Sequence, residues 1–281
     1  MNTNQAETGT IERPRLWRLA LQLDREALRA VVWSTVEESS MLQFSLPLDP
    51  TLPAVKALEK AVYAAPVLLS DFGAVDVVVR TCAYSLLPGA PDDDFCAEAA
   101  RYLHLGDDDT ELACRADRVE GADATVVWVM EAAVANFLAR TFRNPAVVCH
   151  ITPLLRYFSR KSLLGNSGKI YAHLYQSGGT RAADIVSFTH TGAPAIAVTH
   201  TVPTDDDAVY YILGALQLAG LDASADEILL CGTPDLRDAV MPALRRYAAS
   251  VMPVIFPSAA FRNGREALNA PFPLVILPLC E

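Results

Sequence analysis

Clustered basic charge is missing from this sequence: Lys+Arg number 23 against Asp+Glu 33, a formal net charge of -10 at pH 7. Binding a phosphate backbone takes grouped Lys and Arg, so nucleic acid is excluded as a partner, and an anionic membrane surface with it. A long apolar run is also missing. The longest, 124–139, is broken by Glu131 and Asn136, and APFPLVILPLC near the end carries three prolines, so neither is a membrane helix. The start, MNTNQAETGTIERPR, has no basic and apolar leader pattern, and residues 1–14 are read as a disordered N-terminus. The six cysteines (Cys82, Cys96, Cys114, Cys149, Cys231, Cys280) show no C-x-x-C pairing and mostly sit in apolar runs. They read as buried thiols of a cytoplasmic protein rather than a disulfide or metal framework.

Reaction motifs are scarce as well. There is no G-x-S-x-G, no H-E-x-x-H and no H-x-x-x-H among His104, His150, His173, His190 and His200. If Gly192-Ala193 closes a two-residue hairpin, His190 faces Ala195 and His200 faces Ile185. The two rings are then roughly 17 Å apart and cannot share a metal. His200 reads as a hydrogen-bonded core histidine. Leu164-Gly165-Asn166-Ser167-Gly168-Lys169-Ile170 is not a P-loop: the glycines are too close together, Ile170 follows the lysine, and a strand follows instead of a helix. The acidic runs Asp92–Asp94 and Asp205–Asp207 suit helix N-termini, and Asp107–Asp109 reads as a solvated loop.

What is present is a patterned α/β chain. With 281 residues, 52% of them hydrophobic, it buries enough core to need no covalent staple. Arg15–Leu23, Leu28–Ser34 and Met41–Leu48 form a three-stranded meander, followed by a helix to about Ala64 and a strand at Val75–Val79. A helix over 92–104, an irregular acidic stretch at 105–122, a strand at Thr125–Met130 and a helix at Glu131–Thr141 complete the first half. Asn144-Pro145 is the expected boundary, giving units 15–144 and 145–281. In the second half, Lys169–Gln176, Ala182–Thr191 and Ala195–Val202 form another meander, split by Ser177-Gly178-Gly179-Thr180 and Gly192-Ala193-Pro194. A helix capped by Thr204 and Asp205 follows and ends at Gly220 in a Schellman turn with Leu221. Because Ala208–Ala219 is apolar nearly all round, it is expected to be buried on several sides. A strand Glu227–Cys231, a helix from Asp235 and a strand Val251–Phe256 close the pattern.

Three meander strands followed by α-β-α-β, twice, resemble the ribonuclease H-like lobes of the actin-like ATPase superfamily. More narrowly, the chain from about residue 15 resembles the bacterial domain-of-unknown-function family 3822. That resemblance is carried by the size, by Asn144-Pro145 before Thr152-Pro153-Leu154, and by the Gly168-Lys169 start of the second meander. It implies an α/β fold of two such lobes around a cleft, and no particular activity.

The superfamily pattern implies phosphate and magnesium at the first hairpin of each lobe, where an acid positions the metal and glycine lets backbone approach phosphate. Here Asp24 stands at the acid position, but Glu26 occupies the glycine position and would repel phosphate. Gly178, Gly179 and Thr180 could hold phosphate in the second hairpin, which lacks the acid; glycines are also ordinary in such a turn. Gly232 and Thr233 match an adenosine-contacting turn, and equally an ordinary strand-to-helix turn. The leading reading is a non-catalytic protein holding a small ligand or protein partner in the interlobe cleft, with no confident cofactor. The alternatives are a Mg-ATP-dependent phosphotransferase or ATPase using Asp24, and a homodimeric interaction module using segment 271–280.

Overall fold

The computed structural model describes residues 11–103, 110–163, 165–177 and 179–280. Two five-stranded sheets of the same order organise the chain. In the first half, β1 (Trp17–Leu23), β2 (Ala27–Ser34) and β3 (Leu42–Pro47) form the antiparallel meander. After α1 (Ala54–Ala64), β4 (Ala74–Val79) pairs parallel with β1. A separate three-stranded sheet then interrupts the lobe: β5 (Tyr84–Pro88), α2 (Asp93–Leu103), β6 (Leu112–Val119) and β7 (Ala124–Glu131), with strand order β5-β7-β6. After α3 (Ala132–Thr141), β8 (Ala146–Cys149) pairs parallel with β4 and completes the order β3-β2-β1-β4-β8.

The second half repeats this after α4 (Ile151–Ser162). It runs β9 (Lys169–Ser177), β10 (Thr180–Phe188), β11 (Pro194–Thr201), α5 (Asp205–Leu218), β12 (Glu227–Gly232), α6 (Pro234–Leu244) and β13 (Ser250–Pro253). Its sheet order, β11-β10-β9-β12-β13, matches the first position for position. The two ribonuclease H-like lobes are thus present, and the first carries the insertion.

Several expectations need correction. The last strand of the first sheet is β8, not 125–130, so that sheet continues past Asn144-Pro145. The stretch 110–122 contains β6, where Arg115, Asp117 and Arg118 interrupt the apolar residues, so it reads as loop. Residues 105–109, with Asp107–Asp109, lie outside the described residues, as do residues 1–10; Ile11 packs against the core. Helix α5 buries one face only: Tyr210 is 72% and Leu218 83% exposed. Its ends follow the predicted chemistry. Thr204 and Asp207 form a capping box, and Leu221 N donates to Leu216 O while Gly220 N donates to Gln217 O.

The C-terminal segment also differs from expectation. Residues 258–280 run back to the first lobe as short helical turns, including α7 (Phe272–Ile276). There Ala260, Ala267, Leu274 and Val275 cover Ala20, Val31, Trp33 and Val78 on one face of the first sheet. Arg160 of α4 holds the end by donating to Leu279 O and Cys280 O. Segment 271–280 is therefore interior packing, and the homodimer reading loses the surface it relied on. On the other side of the first sheet, α1, α3 and α4 share one apolar core with Tyr171, Val186 and Phe188 of the second sheet. Phe158 of α4 stacks on Tyr171 at 3.8 Å. The lobes are joined by packed side chains, not by chain connection alone.

Candidate functional site

The two hairpin tips meet. Asp24 follows β1, and its carboxylate Oδ1 accepts from the backbone N–H groups of Glu26 (2.9 Å) and Ala27 (2.7 Å), closing a tight turn. Its Oδ2 accepts from the Arg29 guanidinium and, at 2.8 Å, from the hydroxyl of Ser177 at the tip of the second meander. Burial would raise the Asp24 carboxyl, but Arg29, the turn N–H groups and Ser177 outweigh it and hold the carboxyl below its usual range.

Behind the tips lies a second cluster, centred on Asp184 of β10, which is fully buried. Arg80, the residue after β4, donates to both of its oxygens at 3.1 and 2.9 Å and lies 3.6 Å over the Tyr175 ring. His173 Nδ1 stands 3.1 Å from Oδ2 and His150 Nε2 3.2 Å from Oδ1. A carboxylate can only accept, so both facing nitrogens carry the proton. The Thr199 hydroxyl donates to Oδ1 at 3.0 Å and accepts from Tyr84 at 2.8 Å. Burial opposes the Asp184 charge, yet Arg80 and the two imidazoles hold its carboxyl well below the usual range. Burial in turn lowers both histidines, so they are neutral. Arg80, Tyr84 and His150 come from the first half of the chain, and His173, Tyr175, Asp184 and Thr199 from the second. Local pattern does not reveal the cluster; its sequence signal is a charge on an apolar strand, Asp184 within Ala182–Phe188 and Arg80 after Val77–Val79.

Cys149 Sγ lies 3.6 Å from His150 Nδ1, and His150 faces Asp184, which superficially matches a nucleophile, base and orienting acid. It fails chemically. The thiol is fully buried, and burial pushes it far above the range of a usable thiolate. Among the described residues, no group of three or more His, Cys, Asp or Glu is placed to hold a metal ion.

The residues singled out from sequence land as follows. Asp24 is spent on Arg29 and Ser177. Arg25 and Glu26 are exposed and have no positive φ, so this tip forms no backbone cradle of the glycine kind. Gly178 lies outside the described residues; Gly179 has φ +82° with open space before it, and Thr180 is exposed. Gly232, at φ +100°, has a reason internal to the fold: a Cβ there would sit 1.9 Å from Leu174 O of β9. Thr233 is exposed and makes no side-chain cap for α6. This geometry does not fit a bound magnesium–nucleotide: Asp24, the acid at the metal-positioning place, is already neutralised within the protein, and exposed Glu26 stands where backbone would have to meet phosphate. The histidine register is also shifted. A longer loop over Thr189–Ala193 places His200 opposite Ala183, with Ile185 opposite Val198. His200 is half-buried and stacks on Tyr211 at 3.9 Å rather than sitting in the core.

A cavity of about 730 Å³ opens in the first lobe instead. It lies between the first hairpin tip, the loop leading into α1, the segment after β4, and the inserted sheet. Leu52, Ala57, Leu112, Met130 and Val134 give it an apolar lining. Asp117 of the inserted strand β6 ties this sheet to α4, accepting from Cys149 N at 2.7 Å and the Thr152 hydroxyl at 2.8 Å.

Duplicated five-stranded lobes of this order, joined by packed helices, define the actin-like ATPase fold. Within that class the chain belongs to the family described as Protein of unknown function (DUF3822), which it matches over residues 6–251. Among solved structures it is similar to a Bacteroides thetaiotaomicron protein with actin-like ATPase fold and unknown function. The TM-score is 0.73 at 19% identity, covering 88% of this chain and 94% of that one. It is also similar to a chain of the PilM-PilN type IV pilus biogenesis complex, with TM-score 0.52 at 16% identity, covering 95% of this chain and all of that one. No curated protein matches it. Among the described residues no helix is long and apolar enough to cross a membrane.

Proposed function

We propose that this protein is a non-catalytic binding protein on an actin-like scaffold, and that its occupant sits in the first-lobe cavity rather than between the hairpins. One observation carries this: Asp24, the acid at the metal-positioning place in the first tip, is bonded to Arg29 and to Ser177 of the opposite tip. Binding Mg-ATP there would mean breaking a partly buried ion pair and parting the lobes, while the one remaining acid of the tip, Glu26, would repel phosphate. The likeness to the PilM structure supports the partner reading only through the fold they share; that structure is of a complex. The free thiols suit a reducing cytoplasm, and the acidic balance argues against nucleic acid. Titration calorimetry with Mg-ATP tests the reading. No saturable heat is expected at millimolar nucleotide. Saturable binding that Asp24→Ala removes, in a variant retaining its melting temperature, would overturn it in favour of the phosphotransferase or ATPase.

A further inference from the structure

The cavity's charged lining points to the chemistry of its occupant. Five charged side chains line it: Asp24, Arg25, Asp49, Arg80 and Glu131. Three are committed elsewhere. Asp24 holds Arg29, Arg80 holds Asp184, and Asp49 bonds Thr51 and faces Lys60. Among the described residues, Arg25 and Glu131 have neither an ion pair nor a side-chain hydrogen bond. They stand on different walls: Arg25 on the hairpin tip of the first lobe, Glu131 at the end of β7 in the inserted sheet. Between them, apolar Leu52, Ala57, Leu112, Met130 and Val134 share the lining with the committed charges and with Thr81 and Thr110. A simple anion or cation would satisfy one charge and leave the apolar lining wet, whereas an apolar body with an acid toward Arg25 and a base toward Glu131 satisfies both.

The cavity is open rather than sealed, since Ala54 and Leu52 on its rim are exposed. It also borders the first residue of β6, an edge strand of its sheet, where an extended chain can lie alongside. A chain can enter and leave such a site, and its volume lies within the usual range of ligand pockets. We propose that the cavity takes a short extended apolar segment of a partner protein, flanked by one acidic and one basic side chain. This rests on the binding reading above and adds the chemistry of the occupant.

The test uses the full chain and a phage-displayed library of random dodecapeptides, followed by fluorescence anisotropy with synthesised winners. The expected winners have an apolar centre with an acid on one side and a base on the other. Ala54→Trp, at the rim, should abolish their binding. Arg25→Glu and Glu131→Lys should each weaken it about tenfold, and the double reversal should prefer a peptide with its two charges exchanged. Each variant is checked for the wild-type melting temperature. Winners lost on Ala54→Trp but indifferent to both reversals would overturn the charge chemistry and leave the binding reading standing. Winners indifferent to Ala54→Trp would overturn both. A library that yields no enrichment overturns the peptide proposal, while small-ligand screening against the same cavity still tests the binding reading.

Discussion

Asp184 shows how one residue can bind two halves of a chain. It is fully buried and carries an ion pair, two imidazole contacts and a threonine hydrogen bond. Buried pairs often add little net stability over an apolar replacement, but removing one partner leaves the other charged and stranded. Asp184→Ala should therefore cost about 3–5 kcal/mol in urea denaturation, and Arg80→Met together with Asp184→Leu should cost clearly less. Equal costs would mean that the pair itself is the main source of stability. The cluster also sets an acid limit. His150 and His173 have folded values below the ordinary 6.5, so the unfolded chain takes up their protons first as pH falls. Their contribution is complete above about pH 6.5 and is lost progressively below it, toward their folded values. Asp184, lowered from 3.8, adds a further loss only at more acidic pH. The melting temperature should fall between about pH 7 and pH 5, and His150→Gln with His173→Gln should flatten that slope. An unchanged slope would place the sensitivity elsewhere. Beyond the lone charges at Asp184 and Arg80 on apolar stretches, none of this was legible in sequence, because the cluster's residues come from β5, β9, β10 and β11, the segment after β4, and the start of α4.

At the scale of elements, reading period and turn chemistry succeeded wherever a strand or helix carried its own signal. The second meander, the capped α5 and its Schellman end all formed as the local residues dictate. The failures share a cause. Strand β6 carries charge even on its inner face, where buried Asp117 is bonded to Cys149 N and Thr152, and β5 is five residues ending in proline, so neither carries an apolar run long enough to read. Gly232 illustrates the limit at a site. Its turn chemistry was visible, but the same glycine suits a ligand or a neighbouring strand, and only β9 lying against it decides which. Gly232→Ala should therefore destabilise the protein with no ligand present, by about 3 kcal/mol or more, from left-handed backbone and collision with Leu174 O. A variant melting like the parent would show that the strand contact does not require glycine.

At the scale of the whole molecule, the C-terminal return is the feature with the largest consequence. The family match ends at residue 251, yet 258–280 supplies one wall of the first lobe's core. Deleting residues 257–281 would uncover Trp33, Val31 and Val78 together. The truncated chain should lose cooperative thermal unfolding, as followed by circular dichroism, and elute as aggregate in size-exclusion chromatography. A monomeric, cooperatively melting truncation would mean that the segment merely decorates a self-sufficient lobe.

The sequence by itself determined the element types outside the inserted sheet, the duplicated order and the family, because these follow from hydrophobic period and turn chemistry within a few residues of each position. Tertiary structure decided which strand closes the first sheet, that Asp24 is spent on the opposite hairpin, and where the open cavity lies. Those outcomes depend on residues distant in the chain arriving at one place, and pairing of that kind leaves no local pattern.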